Sequence, residues 1–226
     1  MISYICVNMK DRKLAAAEMG RLSPEEYRSR PESGIVVVLD NVRSAYNVGS
    51  AFRSCDAFGV DRLYLCGICA LPPSNEIHKT ALGAEESVPW EHCDSTLDAV
   101  AALRSEGYTI VSVEQTEHSV KLSGCGSIAP ETCATLGNIR GGTMQIAQQS
   151  NGGASRSEAV SGAMAPAAPH AKYAFIFGNE VEGVQQSVVN ASDFCLEIPQ
   201  HGTKHSLNVA VTVGIVLFCA SSKSRL

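Results

Sequence analysis

The sequence predicts an α/β fold in which a mostly parallel sheet carries helices on both faces. Short runs of apolar and β-branched residues recur along the chain, and stretches with helical periodicity separate them. The first run, residues 35–39 (IVVVL), contains no polar residue, which is typical of a strand that is buried on both sides. Strands that alternate with helices form parallel sheets, because each helix crosses back over the sheet before the next strand begins.

The predicted elements follow one another in a regular order. Residues 10–30 have the pattern of one or two short helices, and Ser23-Pro24-Glu25-Glu26 is a plausible helix start, since serine caps helices and proline is tolerated in their first turn. After residues 35–39, further strands are predicted at residues 63–65, 109–113, 173–177 and 194–198. Helical patterns occupy residues 48–58, 95–105, 184–190 and 208–221.

The chain divides into an extension and a main domain. We expect residues 1–32 to form an N-terminal helical extension and residues 33–226 to form the domain itself. Residues 124–171 depart from the α/β pattern, because they are rich in Gly, Ser, Ala, Gln and Pro and show no clear periodicity. A connection of that length is either functional or disordered. We interpret it as a flexible insertion.

Bulk charge gives no indication of a nucleic-acid partner. The 226 residues carry a formal net charge of −5, so any basic surface has to be local. The N-terminal stretch is one candidate, and it is either a binding surface or an ordinary solvated helix face. Its basic residues are Lys10, Arg12, Lys13, Arg21, Arg28 and Arg30.

The chain lacks the signals of a secreted or membrane protein. Its first residues do not show the basic-then-apolar pattern of a signal peptide. The longest apolar run, residues 209–220, is interrupted by Thr212 and Gly214 and is shorter than the ~18 residues that a membrane span needs. The sequence therefore predicts a cytoplasmic protein with no membrane association.

The cysteines do not form a recognisable framework. There are nine, and Cys66-Gly67-Ile68-Cys69 is a lone CxxC with no second pair and no nearby histidine cluster. We therefore expect no bound metal, and we expect most cysteines to be small buried residues in a reducing compartment.

The first of three informative polar segments is residues 47–53 (NVGSAFR). On a helix, Asn47 would stand in the N-cap position, and Arg53 would project beside the apolar face. Gly49 would lie inside the helix at a cost of ~1 kcal/mol relative to alanine, which suggests that something approaches it closely. The alternative is a capped amphipathic helix with one exposed arginine.

The second segment, residues 177–183 (FGNEVEG), ends a predicted strand. Gly178 and Gly183 suggest a phosphate loop, but the Lys-Ser/Thr pair of a P-loop is missing and no GxGxxG occurs. A cradle for a nucleotide phosphate is therefore disfavoured. Glu180 either caps the following helix or belongs to a site.

The third segment, residues 198–208 (IPQHGTKHSLN), follows the last predicted strand. His201 and His205 have the spacing of helical metal ligands, but Gly202 between them indicates a loop. No GxSxG motif is present, so Ser206 has no nucleophile elbow. Ser206 and Asn208 precede a very apolar helix, and Ser206 is either its N-cap or a site residue.

Together and in this order, the three segments resemble the SpoU/TrmH family of RNA ribose 2′-O-methyltransferases, part of the SPOUT class. The resemblance covers residues 35–218 apart from the insertion. The first motif is matched by Asp40-Asn41-Val42-Arg43 followed by Asn47, Gly49, Arg53 and Phe58-Gly59, the second by residues 177–183 and the third by residues 198–209. Gln200-His201 stand where many members have methionine and another residue, and the insertion is longer than usual. These departures concern the choice of RNA rather than the chemistry.

The resemblance implies a parallel sheet whose C-terminal part is tied into a trefoil knot, which is a rare arrangement. It also implies S-adenosylmethionine as the cofactor, held by the loops of the knot. By motif position the cofactor-binding residues are Gly178, Ile198 and Leu207, together with Gly183 and Gly202. Glycine lets a ligand approach the backbone, and the two aliphatic residues suit an adenine ring.

The implied reaction is transfer of a methyl group to a ribose 2′-hydroxyl of tRNA or rRNA, without a metal. The resemblance gives the catalytic role to Arg53, which either assists removal of the hydroxyl proton through a phosphate contact or stabilises the developing alkoxide. Asn47, Glu180, Ser206 and Asn208 would orient Arg53 and the nucleotide. Family members are homodimers whose active sites draw on both subunits.

Two other functions remain possible at this point. One is a catalytically silent RNA-binding protein on the same scaffold. The other is a nucleotide-dependent oxidoreductase on a doubly wound fold, which the absence of GxGxxG disfavours.

Overall fold

A seven-stranded sheet forms the centre of the protein, which a computed structural model describes over residues 12–122 and 171–221. The strands are β1 (Ile35–Asp40), β2 (Arg62–Cys66), β3 (Trp90–Cys93), β4 (Thr109–Val113), β5 (Val120–Lys121), β6 (Tyr173–Gly178) and β7 (Phe194–Glu197). The α-helices are α1 (Pro24–Ser29), α2 (Ala45–Phe58), α3 (Asn75–Ala81), α4 (Ala84–Ser87), α5 (Thr96–Ser105), α6 (Gln186–Ala191) and α7 (Val209–Ser221), and a 3-10 helix (Ala16–Met19) precedes them. The predicted insertion lies outside the described residues except for its last position, Ala171.

The strand order is β3-β2-β1-β6-β4-β7-β5, and every neighbouring pair is parallel. β6 therefore lies between β1 and β4, with Val38 of β1 opposite Ile176 of β6. All five predicted strands are present, and the predicted mostly parallel sheet is confirmed. The trefoil knot stays a prediction.

Helices cover both faces of the sheet, as predicted. Along β1, Val37 and Leu39 join a core cluster with residues of α2 and α7. Val36 and Val38 point to the other face and join a cluster with residues of α5 and α6. All four side chains are fully buried, and burying a valine or leucine contributes ~1.5–3 kcal/mol. The continuous apolar run therefore reflects two cores that share one strand.

Helix α1 packs onto the domain. Ser23 and Glu26 form the predicted capping box at the start of α1. Tyr27 is buried, and its hydroxyl lies 2.8 Å from the carbonyl oxygen of Val60. Arg30 pairs with Asp61 at 3.2 Å. Arg30 thus pairs with a carboxylate of the same chain. This contact favours a solvated helix face over a binding surface in this segment.

One predicted helix cap is wrong, and one of the two alternatives given for Ser206 is excluded. Ser44, not Asn47, caps α2, because its Oγ accepts a hydrogen bond from the backbone N–H of Asn47 at 3.3 Å. Asn208, not Ser206, occupies the cap position of α7, and its Oδ1 accepts from the N–H of Ala210 at 2.9 Å. Each of these side chains is a good cap in isolation, so the backbone decides which one is used.

Glu180 does not cap α6. That helix starts later than predicted, after Gln185, and no side chain caps it.

Four short elements also carried too little pattern to be predicted from periodicity: α3, α4, β3 and β5. β5 has only two residues, which is too short for any alternation to be visible.

The close approach expected at Gly49 is present, and helix α3 makes it. A Cβ atom on Gly49 would collide with the Oγ1 of Thr80 and the carbonyl oxygen of Ile77. The glycine therefore allows α2 and α3 to pack backbone to backbone. The cost of a glycine inside α2 is offset by this contact between helices.

Most of the cysteines that the structure describes are buried, as predicted. Cys66 and Cys69 are both buried free thiols, and they belong to different core clusters. Burial raises the pKa of Cys69 to about 11 and also raises the pKa of Cys55. These thiols are therefore weak nucleophiles at neutral pH.

Within the part of the chain that the structure describes, no helix combines the length and apolarity needed to cross a bilayer.

Candidate active site

A cavity lies at the carboxyl ends of β4, β6 and β7, where α/β proteins commonly bind ligands. Its volume is about 320 Å³. Two segments form most of its wall. We call residues 179–185, which follow β6, the β6 loop, and residues 198–208, which follow β7, the β7 loop.

Four of the five residues predicted to bind the cofactor line this cavity: Gly178, Gly183, Ile198 and Leu207. The fifth, Gly202, does not line it. Gly202 is exposed at the far part of the β7 loop, and a Cβ atom added to it would meet nothing within 4 Å.

The β6 loop folds back on itself through one asparagine. Asn179 Oδ1 accepts hydrogen bonds from the N–H groups of Val181 and Glu182, both at 2.9 Å. The N–H of Gly183 donates to the carbonyl oxygen of Asn179 at 3.1 Å. Gly183 has a φ of +71°, a left-handed conformation that favours glycine.

Gly178 is required by the β6 loop itself. A Cβ atom at this position would collide with the backbone of Gly183 and Val184. Backbone atoms cannot move aside as a flexible side chain can, so any larger residue would displace the loop. The role of Gly178 is therefore to let the strand end and the returning loop touch.

Three polar side chains from distant segments meet near the cavity. The side-chain amide of Asn47 donates a hydrogen bond to Glu180 Oε1. The side-chain amide of Asn208 donates to Asn47 Oδ1 at 3.1 Å. Because Asn208 Oδ1 is occupied at the start of α7, this chain of hydrogen bonds has one direction, from α7 through α2 to the β6 loop. We call Asn47, Glu180 and Asn208 the amide–carboxylate chain.

The cavity is acidic. Four carboxylate residues line it, and among its described lining residues none is a lysine or an arginine. The four are Glu114, Glu180, Glu182 and Glu197. Such a cavity attracts cations and repels phosphate groups. Neutral polar and apolar residues complete the lining, and the apolar ones are Val113, Phe177, Val181, Leu196, Ile198, Leu207 and Val209.

Of the five residues predicted to act in catalysis, Glu180 and Ser206 line the cavity, and Asn47 and Asn208 reach it through the amide–carboxylate chain. Arg53 does not line it. It is exposed on α2, six residues and so ~9 Å along the helix axis beyond Asn47. Within the described residues, no hydrogen bond or ion pair engages its guanidinium.

Arg53 belongs to an exposed stripe of α2. Tyr46, Ser50 and Arg53 follow the i, i+4, i+7 spacing that places residues on one side of a helix. The neighbouring sides of α2 contact α3, through Gly49, and α7, which brings Ser54 near Gly214. We call Tyr46, Ser50 and Arg53 the α2 stripe.

Sequence reasoning missed Glu114 and Glu197. Glu114 directly follows predicted strand 109–113, and Glu197 lies near the end of predicted strand 194–198. The strand-end rule that selected the other residues would have found both, because carboxyl ends of parallel strands share one edge of the sheet.

Comparison with known proteins gives a consistent result. The model of the SpoU rRNA Methylase family matches residues 34–218. A 23S rRNA (guanosine-2′-O-)-methyltransferase, RlmB, of Nitrosomonas europaea is 26% identical over 187 residues, which are 83% of this chain and 55% of that protein. A tRNA (guanosine(18)-2′-O)-methyltransferase of Aquifex aeolicus is 23% identical over 194 residues, which are 85% of this chain and 71% of that protein. The chain thus spans little more than half of the first relative.

Solved structures share the fold. The A. aeolicus TrmH/SpoU tRNA modifying enzyme matches with a TM-score of 0.60 and 22% identity, over 88% of this chain and 79% of that one. An AdoMet-bound rRNA methyltransferase from Sinorhizobium meliloti matches with a TM-score of 0.60 and 23% identity, over 90% of this chain and 61% of that one.

Proposed function

Because the chain belongs to the SpoU rRNA methylase family, we propose that it transfers a methyl group from S-adenosylmethionine to a ribose 2′-hydroxyl of tRNA or rRNA. The observation that carries the proposal is the acidic cavity, which the second and third sequence motifs line and which the first motif reaches through Asn47. The relatives that support it are named as methyltransferases of guanosine in 23S rRNA and in tRNA.

The cavity suits S-adenosylmethionine. Its volume of about 320 Å³ is at the lower end of small-molecule sites, ~300–1,000 Å³. When bound, the cofactor supplies an activated methyl group on a positively charged sulfonium. The acidic lining favours that charge and the cofactor's ammonium group, while Ile198 and Leu207 offer apolar surface to the adenine. A dinucleotide with its phosphates would be repelled, which speaks against the oxidoreductase alternative.

The residues of this chain would act by alignment and by charge stabilisation. The ribose hydroxyl has to be aligned with the methyl group. As the bond from the ribose oxygen to the methyl carbon forms, the bond from that carbon to sulfur would break to leave a neutral thioether, and the hydroxyl proton would pass to solvent. A guanidinium only donates hydrogen bonds, so we assign to Arg53 the stabilisation of negative charge that develops on the ribose oxygen. Asn47, Glu180, Ser206 and Asn208 would orient the nucleotide. A catalytically silent protein is not supported, since the named relatives are enzymes.

The reaction is tested directly with radiolabelled S-adenosylmethionine and bulk RNA. We expect label to enter either tRNA or rRNA, and mapping of the modified nucleotide by alkaline hydrolysis to place it on a ribose 2′-oxygen. Label on a base, or no label in any RNA when calorimetry shows that the cofactor binds, would contradict the proposed reaction. A mixed pool of RNA is used because the sequence does not name the target.

We also propose that the protein works as a homodimer in the cytoplasm. Arg53 lies outside the cavity of its own chain, so a second copy would bring the α2 stripe to the cavity. An exposed apolar face supports this arrangement. Val211 and Phe218, seven residues apart on α7 and so on one side of it, are 51% and 46% exposed.

A charge on that face should separate the subunits. We expect Val211→Asp to convert the dimer to a folded monomer, because burying an unpaired carboxylate costs several kcal/mol. Light scattering after size-exclusion chromatography measures the mass. Leu97→Asp is the matched control, since Leu97 is 40% exposed on α5, at the other face of the sheet. A monomeric wild type, or a Val211→Asp protein that stays dimeric, would contradict the proposal.

A further inference from the structure

Two carboxylates hold the β6 loop from opposite sides. β6 lies between β1 and β4, and each of these neighbours ends at an acidic residue: Asp40 is the last residue of β1, and Glu114 follows β4 directly. Glu114 Oε2 accepts a hydrogen bond from the N–H of Val184 at 3.0 Å. Asp40 Oδ2 accepts from the next N–H, that of Gln185, at 2.9 Å. Consecutive amides of one loop are thus fixed by two strands.

The environment of Asp40 requires a group that only accepts hydrogen bonds. Its side chain is fully buried. Its Oδ1 accepts from Thr96 Oγ1 at 2.6 Å, from Asn41 Nδ2 at 2.8 Å and from Gln185 Nε2 at 2.8 Å. A carboxylate satisfies all these donors, whereas a carboxamide would turn its own NH₂ group towards at least one of them.

Glu114 reaches the loop because position 183 is a glycine. A Cβ atom on Gly183 would collide with Glu114 Oε2. Asn179 accepts hydrogen bonds from the N–H groups of Val181, Glu182 and Gly183. All five backbone N–H groups of residues 181–185 therefore have an acceptor within the protein, and this part of the loop offers the cavity its carbonyl oxygens and side chains.

We propose that Asp40 and Glu114 are positioning residues, which hold the β6 loop as a preformed wall of the cavity before any ligand arrives. A wall that is already ordered spares the ligand the entropy of ordering it. The proposal rests on the proposed function only in taking S-adenosylmethionine as the ligand. Loss of either carboxylate is expected to weaken cofactor binding more than it slows turnover at saturating cofactor.

Four variants test the proposal: Asp40→Asn, Glu114→Ala, Glu114→Gln and, as a control, Asp61→Asn. Asp61 is the matched control because it also accepts backbone N–H groups, from Ser33 at 2.8 Å and Gly34 at 2.7 Å, but at the opposite end of the sheet. Two properties are measured: hydrogen exchange of the amides of Val184 and Gln185 in the ligand-free protein, and the dissociation constant for S-adenosylmethionine by calorimetry.

We expect faster exchange at these amides, and about tenfold weaker cofactor binding, in Asp40→Asn and Glu114→Ala. Glu114→Gln should restore slow exchange at Val184, since its amide oxygen can accept from that N–H. It should recover only part of the affinity, because the negative charge that Glu114 adds to the cavity lining is lost. Asp61→Asn should lower thermal stability and leave the affinity within about twofold of wild type. If Asp40→Asn does not fold, the comparison of Glu114→Ala with Glu114→Gln still tests the proposal.

Unchanged exchange at both amides in Glu114→Ala would overturn the proposal, and so would unchanged affinity. An equal loss of affinity in Asp61→Asn would also overturn it, because the effect would then reflect general destabilisation. If the wild type binds no S-adenosylmethionine while exchange still rises in the variants, the proposed function fails and the positioning of the loop stands.

Discussion

We expect Arg53→Ala to slow methyl transfer by about 10²–10³-fold, which is the usual effect of removing a donor that stabilises an oxyanion. The protein should remain folded, because Arg53 is exposed and none of the described residues forms a hydrogen bond or ion pair with it. Lysine should not restore the rate, since a point charge cannot reproduce the planar, forked contact of a guanidinium. Single-turnover methylation of the RNA substrate measures the rate, with cofactor affinity determined separately.

Arg104→Ala controls for the loss of a positive charge. Arg104 lies on α5 and pairs with Asp193 at 2.8 Å, so its removal should cost at most about 1 kcal/mol of stability and leave the rate unchanged. A rate close to wild type in Arg53→Ala would remove Arg53 from the mechanism. The charge stabilisation would then have to come from another polar residue near the cavity.

The second large effect is expected at Asn208, where aspartate should lower the rate by about 10- to 100-fold and leave stability nearly unchanged. Aspartate caps helices as well as asparagine does, so α7 keeps its start. Asn47 Oδ1, however, loses the N–H group that donates to it from position 208. The side chain of Asn47 then lies between two carboxylates, at positions 180 and 208, and its NH₂ group can donate to only one side. The bond from Asn208 to Asn47 joins two neutral amides and contributes about 0.5–1.5 kcal/mol, and the new carboxylate at position 208 adds repulsion with Asn47 Oδ1. The rate is measured at saturating cofactor and RNA.

Two variants separate the cap from the amide–carboxylate chain. Asn208→Ser also keeps the cap and loses the donor, so it should be slow as well. Ser95→Ala removes the cap of α5, where Ser95 Oγ accepts from the N–H of Leu97 at 3.2 Å. It should cost about 1 kcal/mol of stability without affecting the rate. If Asn208→Ser keeps both the rate and the stability of the wild type, Asn208 serves α7 alone.

The fold could be predicted from the sequence where burial determines the pattern. The five predicted strands are all present, because a strand buried on two faces is mostly apolar and can be recognised from its own sequence. The caps of α2 and α7 could not be settled in this way. Ser44 and Asn47 are equally good capping residues, and so are Ser206 and Asn208. The choice depends on where the backbone turns, which the side chains alone do not encode.

The site could be predicted in part. Glycine and polar residues at strand ends pointed to Gly178, Glu180 and Asn208, and the structure brings all three near one cavity. The contacts of Asp40 and Glu114 with the β6 loop could not be found, because they require β6 to stand between β1 and β4, out of chain order. The position of Arg53 outside the cavity of its own chain could not be predicted either. Helical periodicity shows on which side of its helix a residue lies, but it does not show where the helix lies on the sheet.

The central place of β6 also affects how the protein is made. Until residues 173–178 leave the ribosome, β1 and β4 each have an edge without its final partner. About 60 residues separate β4 from β6, and at ~5–20 residues per second their synthesis takes several seconds. A longer connection costs little extra free energy to close, because the conformational entropy lost on joining its two ends grows only with the logarithm of the number of residues. The long connection therefore prolongs the interval in which one edge of β1 and both edges of β4 lack their final partners and are open to pairing with other nascent chains.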